Sequence, residues 1–356
     1  MDTTQNTQEA ILLLKQLIAT PSFSSEEAAT ALLIEQWFTK QKIAYHRTVN
    51  NVWAINQFFD PKKPTLLLNS HHDTVKPNSG YTKNPFEAIE EDGKLYGLGS
   101  NDAGGCLVSL LATFAHFYKH KELRYNLVMV ASAEEESSGP NGLNSMLSIL
   151  PKIDVAIVGE PTLMNLAIAE KGLVVFDVLV KGTPSHAAHP NLDNAIYKCI
   201  PVLDWFQNFQ FEKDSETLGP VKMTVTQIQA GKQHNAVPAD VKLVIDVRVN
   251  DAYTNKEIVT ILQESAPCDS MLPRSTNLNS SAISKEHQLV KAGLALGRTT
   301  YGSPTLSDQS VLSCPSLKLG PGDSTRSHSA DEFIYLDELK EGIEIYIELL
   351  NRVIVK

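Results

Sequence analysis

Three short, unbroken apolar runs constrain this chain most, because each one ends in histidine or acidic residues. Leu66-Leu67-Leu68-Asn69-Ser70 runs into His71-His72-Asp73-Thr74-Val75, Leu127-Val128-Met129-Val130-Ala131 leads to Glu134-Glu135-Glu136, and Val155-Ala156-Ile157-Val158 leads to Gly159-Glu160-Pro161-Thr162. A run of that kind has no polar face to offer water, so it reads as a strand covered on both sides. Segments 8–19, 25–41, 104–120 and 142–150 carry apolar positions at helical spacing, and 52–59 reads as a further strand. Strands alternating with helices predict an α/β fold, a doubly wound and mostly parallel sheet.

In such a sheet, ligands bind beyond the carboxyl ends of the strands. That is where His71, Asp73, the three glutamates and Glu160 fall, while Asp102 lies in the glycine-rich stretch 93–105 at the mouth of a helix. Taken singly, each could be a solvated loop acid. Together at one sheet edge, these carboxylates would repel one another unless cations sat between them. Carboxylates and imidazoles without cysteine suit zinc, cobalt or manganese in a hydrolytic site. A carboxylate shared by two ions gives a centre that polarises a carbonyl and brings the pKa of bound water to about 7. His71 and Asp73 have the spacing of a metal ligand and a carboxylate that fixes its tautomer.

The pattern changes in the middle of the chain. Segments 172–180, 221–229 and 240–249 alternate like half-exposed strands, with helical segments at 193–209 and 255–263. The order comes near to the βαββαβ of a ferredoxin-like α+β unit. The expectation is a discontinuous catalytic domain, 1–170 and 282–356, interrupted by an inserted lid or dimerisation domain, 171–281. A chain of 356 residues has room for both.

Composition narrows the function. A net charge of −10 argues against nucleic acid or an anionic membrane as partner. Cys106, Cys199, Cys268 and Cys314 form no C-x-x-C pair and suggest neither a thiolate zinc site nor a disulfide framework. The amino-terminal segment lacks a basic leader and no run is long enough to span a membrane, so a cytoplasmic location is expected. There is no G-x-S-x-G, no H-E-x-x-H and no P-loop. Gly97-Leu98-Gly99 opens like a dinucleotide fingerprint, but Asp102 stands where the third glycine belongs.

Five segments, in order, resemble the zinc-dependent aminoacylase, acetylornithine deacetylase and succinyl-diaminopimelate desuccinylase family. They are Ser70-His71-His72-Asp73-Thr74-Val75, Gly97-Leu98-Gly99-Ser100-Asn101-Asp102, Ala133-Glu134-Glu135-Glu136, Gly159-Glu160-Pro161-Thr162 and Ser327-His328-Ser329-Ala330-Asp331-Glu332. The resemblance implies two zinc ions, with cobalt or manganese able to substitute. His71, Asp102 and Glu160 would hold one ion; Asp102, Glu136 and His328 would hold the other. Glu135 would be the general base, and Asp73 would orient His71. In the inserted segment, Gly182-Thr183-Pro184-Ser185-His186 resembles the loop whose histidine stabilises the oxyanion, commonly from the partner subunit of a homodimer. Asn235 and Arg248 resemble substrate-contacting residues, and Gly320 a turn beside the substrate.

The chain departs from the family pattern at Leu98, where an arginine is usual, and at Ala103-Gly104-Gly105, where Met-Lys-Gly is usual. Three glutamates in place of Asp-Glu-Glu leave a one-residue alternative, with Glu134 as base and Glu135 as ligand. The expected activity is a dinuclear-zinc amidohydrolase that deacylates a small N-acyl amino acid. The best match is the acetylornithine deacetylase branch, hence N-acetyl- or N-succinyl-ornithine or -citrulline in arginine biosynthesis. A desuccinylase, a dipeptidase or aminopeptidase on the same metals, and a non-catalytic metal-binding homologue are the alternatives.

Overall fold

A computed structural model describes the chain from residue 3 to residue 356. The chain forms two compact units, one made of the stretch up to Ile168 with Ala282–Tyr301 and Ser307–Lys356, the other of Ala169–Ser281 with Gly302–Leu306. Among the described residues, no helix is long and apolar enough to cross a membrane.

The first unit is built on a sheet whose central strands run in the order His46–Thr48, Asn51–Ile55, Asn126–Ser132, Thr65–His71, Val155–Val158, Ser316–Lys318 and Leu166–Glu170. Thr65–His71 is parallel to both of its neighbours, with Leu67 opposite Val128 on one side and Ala156 on the other. Ser316–Lys318 is parallel to Val155–Val158, while Asn51–Ile55 and Leu166–Glu170 add antiparallel flanks. Every residue of Thr65–His71 and Asn126–Ser132 is buried.

The cause is that both faces are covered. Leu66, Leu68, Leu127 and Met129 join a core with Leu13, Ile34, Leu110, Phe114 and Tyr346 from the flanking helices. Leu67, Val128 and Val130 pack with Leu143, Met146 and Leu150 on the opposite face. This is the mostly parallel α/β sheet that the apolar runs predict.

Two expected elements are shorter than their periodicity suggests. The strand expected over 52–59 ends at Ile55. There the Asn56 side chain takes over, accepting from Leu127 N–H at 2.8 Å. The helix expected over 142–150 is a single turn, Leu143–Met146.

In the second unit the sheet order is Lys222–Ala230, Asp240–Val249, Gly172–Lys181, Ser270–Pro273, with all pairs antiparallel. Val241, Leu243, Ile245, Val247 and Val249 alternate into a core shared with Cys199, Val202 and Phe206 of the helix Ala195–Asn208 and Ile258 and Leu262 of the helix Asn255–Ser265. The helix starts are written locally. Asn194 accepts from Ile196 N–H, and Thr254 with Glu257 forms a capping box. Segment 302–306 goes with this unit, where Lys171 N–H donates to the Ser303 carbonyl at 3.2 Å.

Candidate metal centre

His71 closes its strand in register with Ser132 of the neighbouring one. Parallel pairing therefore brings the ends of the two runs side by side, and Val155–Val158 delivers Glu160 two residues past its end. His71 is 1% exposed, and its Nδ1 lies 2.9 Å from the backbone carbonyl of Asp73 and 3.4 Å from Asp73 Oδ1. Both are acceptors, so Nδ1 carries a proton and Nε2 is the nitrogen that faces the acids; against the pull of burial, Asp102 and Asp73 hold the ring's pKa well above the ordinary imidazole value. Among the described residues, that Nε2 has no hydrogen-bond partner. Around it stand Asp102 Oδ1 at 3.3 Å, Glu160 Oε1 at 3.7 Å and Glu135 Oε2 at 3.9 Å.

The three consecutive glutamates diverge. Glu134 has φ +55°, and its carboxylate turns back to accept from Asn141 N and Nδ2, each at 2.9 Å, and from Ser25 Oγ at 3.1 Å. Glu135 and Glu136 face the cluster instead. Asp73 sets their backbone: Oδ1 accepts from Glu135 N–H at 3.1 Å, and Oδ2 from Glu136 N–H at 3.1 Å and Ser24 Oγ at 2.7 Å. The buried Asp73 carboxylate thus does more than face His71, because it fixes the loop that carries two cluster acids.

A second group of side chains shares Asp102. His328, at φ +57°, lies with Nε2 3.0 Å from Glu136 Oε2 and 3.6 Å from Asp102 Oδ2. Asp102 therefore faces His71 with one oxygen and His328 with the other. Ligand atoms of His71, Asp102 and Glu136, and separately those of His71, Glu135 and Glu160, gather closely enough to surround an ion.

The charges are unbalanced as they stand. Burial, then the Asp102 charge, push Glu160 up to about 8. Burial also pushes Glu135 well above the carboxylate range, with Glu160, Asp308 and Glu136 adding to the effect. The hydrogen bond to Glu136 holds His328 up to about 9. A buried imidazole nitrogen faced by Asp102, Glu160 and Glu135, with burial and neighbouring charge holding the last two from ionising, fits divalent cations. His72, by contrast, is structural. Nε2 donates to the Asn50 carbonyl at 2.9 Å, Thr30 Oγ1 lies 2.9 Å from Nδ1, and burial lowers its pKa to about 4.

Residues 67–352 match the family model described as peptidase family M20/M25/M40. The chain belongs to that family. It is 29% identical to an acetylornithine deacetylase from Erwinia tasmaniensis, covering 96% of this chain and 97% of the relative. It is 25% identical to a succinyl-diaminopimelate desuccinylase from Acidiphilium cryptum, covering 82% of this chain and 83% of the relative. Its fold matches that of a Bacillus subtilis protein described as a dinuclear metal-binding peptidase of the M20 family, with TM-score 0.74, 15% identity and 98% of each chain covered. This M20 chain is accordingly a metal-dependent hydrolase acting on amide bonds.

Three of the remaining residues named from sequence lie in the second unit. His186 is exposed, in a two-residue strand paired with Ala236 and Val237, and its Nδ1 accepts from Ala188 N–H at 3.1 Å. A neutral ring with an accepting Nδ1 carries its proton on Nε2. Asn235 is exposed beside it, its carbonyl accepting from Ala187 N–H at 2.9 Å. The Arg248 guanidinium pairs with Asp246 through Nε at 2.9 Å and Nη2 at 3.0 Å, which leaves Nη1 outside the pair.

Gly320, in the first unit, is buried; a Cβ there would meet Cys106 Sγ and the Glu160 carbonyl, each at 2.6 Å. Its place is against the backbone of Glu160, so the turn expected beside the substrate packs directly on the segment that carries this acid.

Two buried acids escape a reading by motif. Asp308 accepts from Ser132 Oγ at 2.6 Å, and burial pushes it up to about 6. Glu332 accepts from backbone N–H groups beside Asp102. Glu332 closes one of the five quoted segments, but neither acid carries a local signal, because their partners lie far away in sequence.

Proposed function

We propose that this M20 chain is a dinuclear metalloenzyme that removes the acyl group from a small N-acyl amino acid. The observation that carries the proposal is the double set around Asp102: His71 and Glu160 on one side, Glu136 and His328 on the other, with Glu135 against the same centre. Two divalent ions, zinc by the donor chemistry, would supply the Lewis acidity that polarises the scissile carbonyl and makes water nucleophilic near neutral pH.

The protein's own groups do the rest. Glu135 takes the proton of the attacking water and returns it to the departing amine nitrogen, a task suited to a carboxylate whose pKa burial has raised. Asp73 keeps His71 in the Nδ1–H tautomer and fixes the backbone of Glu135. His186 offers Nε2–H to the oxyanion, a donor that the Ala188 contact leaves outward. Asn235 and the Nη1 end of Arg248 would hold the amino-acid carboxylate.

The relatives named for deacetylation and desuccinylation point to an N-acetyl or N-succinyl substrate. The proposed substrate is N-acyl-ornithine or -citrulline, which would place the reaction in arginine biosynthesis. Four free cysteines fit a cytoplasmic setting.

The proposed assembly is a homodimer. Among the described residues, the strand Lys222–Ala230 pairs on one side only, ending its sheet's order, and Ile228 on it is 56% exposed. An open edge of this kind is a template for a second copy.

The deciding assay measures free amine released from N-acetyl- and N-succinyl-ornithine and -citrulline against a set of dipeptides, with zinc or cobalt supplied. Turnover of dipeptides but not of N-acyl amino acids would replace the deacylase with a dipeptidase. Mixing inactive Glu135→Ala and His186→Ala chains tests the exchange of His186 between subunits. Partial recovery is expected, and no recovery would place His186 in its own subunit's site.

A further inference from the structure

Glu332 is 2% exposed and is bonded almost wholly to the loop that carries Asp102. Its Oε1 accepts from the backbone N–H groups of Asn101 at 2.8 Å and Asp102 at 2.9 Å, and its Oε2 accepts from Gly99 N–H at 3.0 Å. Its own carbonyl accepts from Gly97 N–H at 3.0 Å.

The three donors converge on one carboxylate because the chain is wound tightly there. Gly99 sits at φ +76°, and the loop then enters the helix Gly105–Phe117. Glu332 also follows His328 by four residues, and the backbone between them is tied down by Asp331, whose Oδ1 accepts from Thr82 N–H at 2.8 Å and Lys83 N–H at 2.9 Å. One residue thereby links the loop of Asp102 to the loop of His328.

We propose that Glu332 is a positioning residue of the metal centre, fixing the backbone of Asp102 so that its two oxygens face His71 and His328 at once. The inference rests on Asp102 being the shared ligand. Only a carboxylate meets the requirement in full, since three inward N–H groups need two acceptor oxygens and an amide has one. Asp73 does the same for Glu135 and Glu136, so two of the loops that carry cluster acids are each held by a buried carboxylate.

The test uses the full chain, metal-free and zinc-loaded. In the metal-free wild type, amide hydrogen exchange at Gly99, Asn101 and Asp102 is expected to be slow. Exchange as fast as in an open loop would overturn the proposal without any variant. Glu332→Gln keeps the size but turns one acceptor into a donor. Exchange of segment 97–104 is expected to quicken by about 10- to 100-fold, the cost of leaving one buried N–H without its acceptor.

Zinc affinity, read by competition with a chelator, is expected to fall by about 10- to 100-fold. kcat should fall while KM changes little, and Glu332→Asp should recover part of the loss. A folded Glu332→Gln protein that binds two zinc ions with wild-type affinity would refute the role of Glu332. If Asp102→Asn instead retains both ions, the fault lies in the ligand assignment, and the two failures are told apart.

Discussion

Replacing Asp73 with asparagine removes one acceptor oxygen from a side chain that uses both. Asp73 receives Glu135 N–H at Oδ1 and Glu136 N–H and Ser24 Oγ at Oδ2, all buried or half-buried. Whichever way the new amide turns, its NH2 faces a backbone N–H. One hydrogen bond to a charged acceptor is lost, worth about 1.5–3 kcal/mol, and the stranded donor adds about 1–3 kcal/mol. A total of about 2.5–6 kcal/mol is therefore expected.

The His71 tautomer should survive, because Nδ1–H still has the backbone carbonyl of residue 73 at 2.9 Å. Zinc affinity is then expected to fall only about tenfold, at the low end for loss of a partner that orients a ligand. The larger effect should be on kcat, down about 100-fold, since the misplaced loop carries both the base and a ligand. Calorimetry of the metal-free protein, chelator competition and steady-state kinetics separate these parts. An Asp73→Asn enzyme with wild-type kcat and unchanged melting temperature would show that the clamp on Glu135 and Glu136 does nothing.

Other outcomes follow from the same geometry. Glu135→Ala should keep two metals per chain by elemental analysis and lose about 100- to 10,000-fold in turnover; if turnover survives, Glu135 is not the base. Gly320→Ala forces a Cβ against Cys106 Sγ and the Glu160 carbonyl, both at 2.6 Å. It should cost about 1–3 kcal/mol by denaturant titration and loosen the ion on the Glu160 side. Zinc affinity should rise with pH and level off above about 9, because the ion must displace protons from Glu160, pushed to about 8 by burial, and His328, held to about 9 by Glu136. Both folded-state values lie above the ordinary ones, so their stability contribution is full in acid and lost as pH rises through them. The metal-free protein should therefore melt at lower temperature at pH 9 than at pH 6, and zinc should flatten that slope.

The sequence by itself determined the mostly parallel sheet and which polar run-ends lie along its edge, and the reason is local. A strand covered on both faces must be apolar at every position, so 66–68, 127–131 and 155–158 declared themselves, and parallel pairing made their polar ends converge. The period-2 alternation of 240–249 likewise revealed a sheet with one face turned to helices. What only the tertiary structure decided depends on hydrogen bonds between residues far apart in the chain. Three adjacent glutamates are alike in sequence. Glu134 is separated from the other two by its left-handed backbone and by Asn141 and Ser25, which hold its carboxylate away from His71. The side-chain pairing of Arg248 with Asp246 belongs to this class too, since strand periodicity puts the two on one face without saying that they bond. So does the seating of Glu160 by Gly320 across 160 positions of chain, a contact set by backbone packing and invisible to any period or motif. Residues 66–75 read as a buried strand with a polar end. The fold gives that end two different histidines, one facing the cluster and one spent on Asn50, and an aspartate that holds a loop as well as a ring.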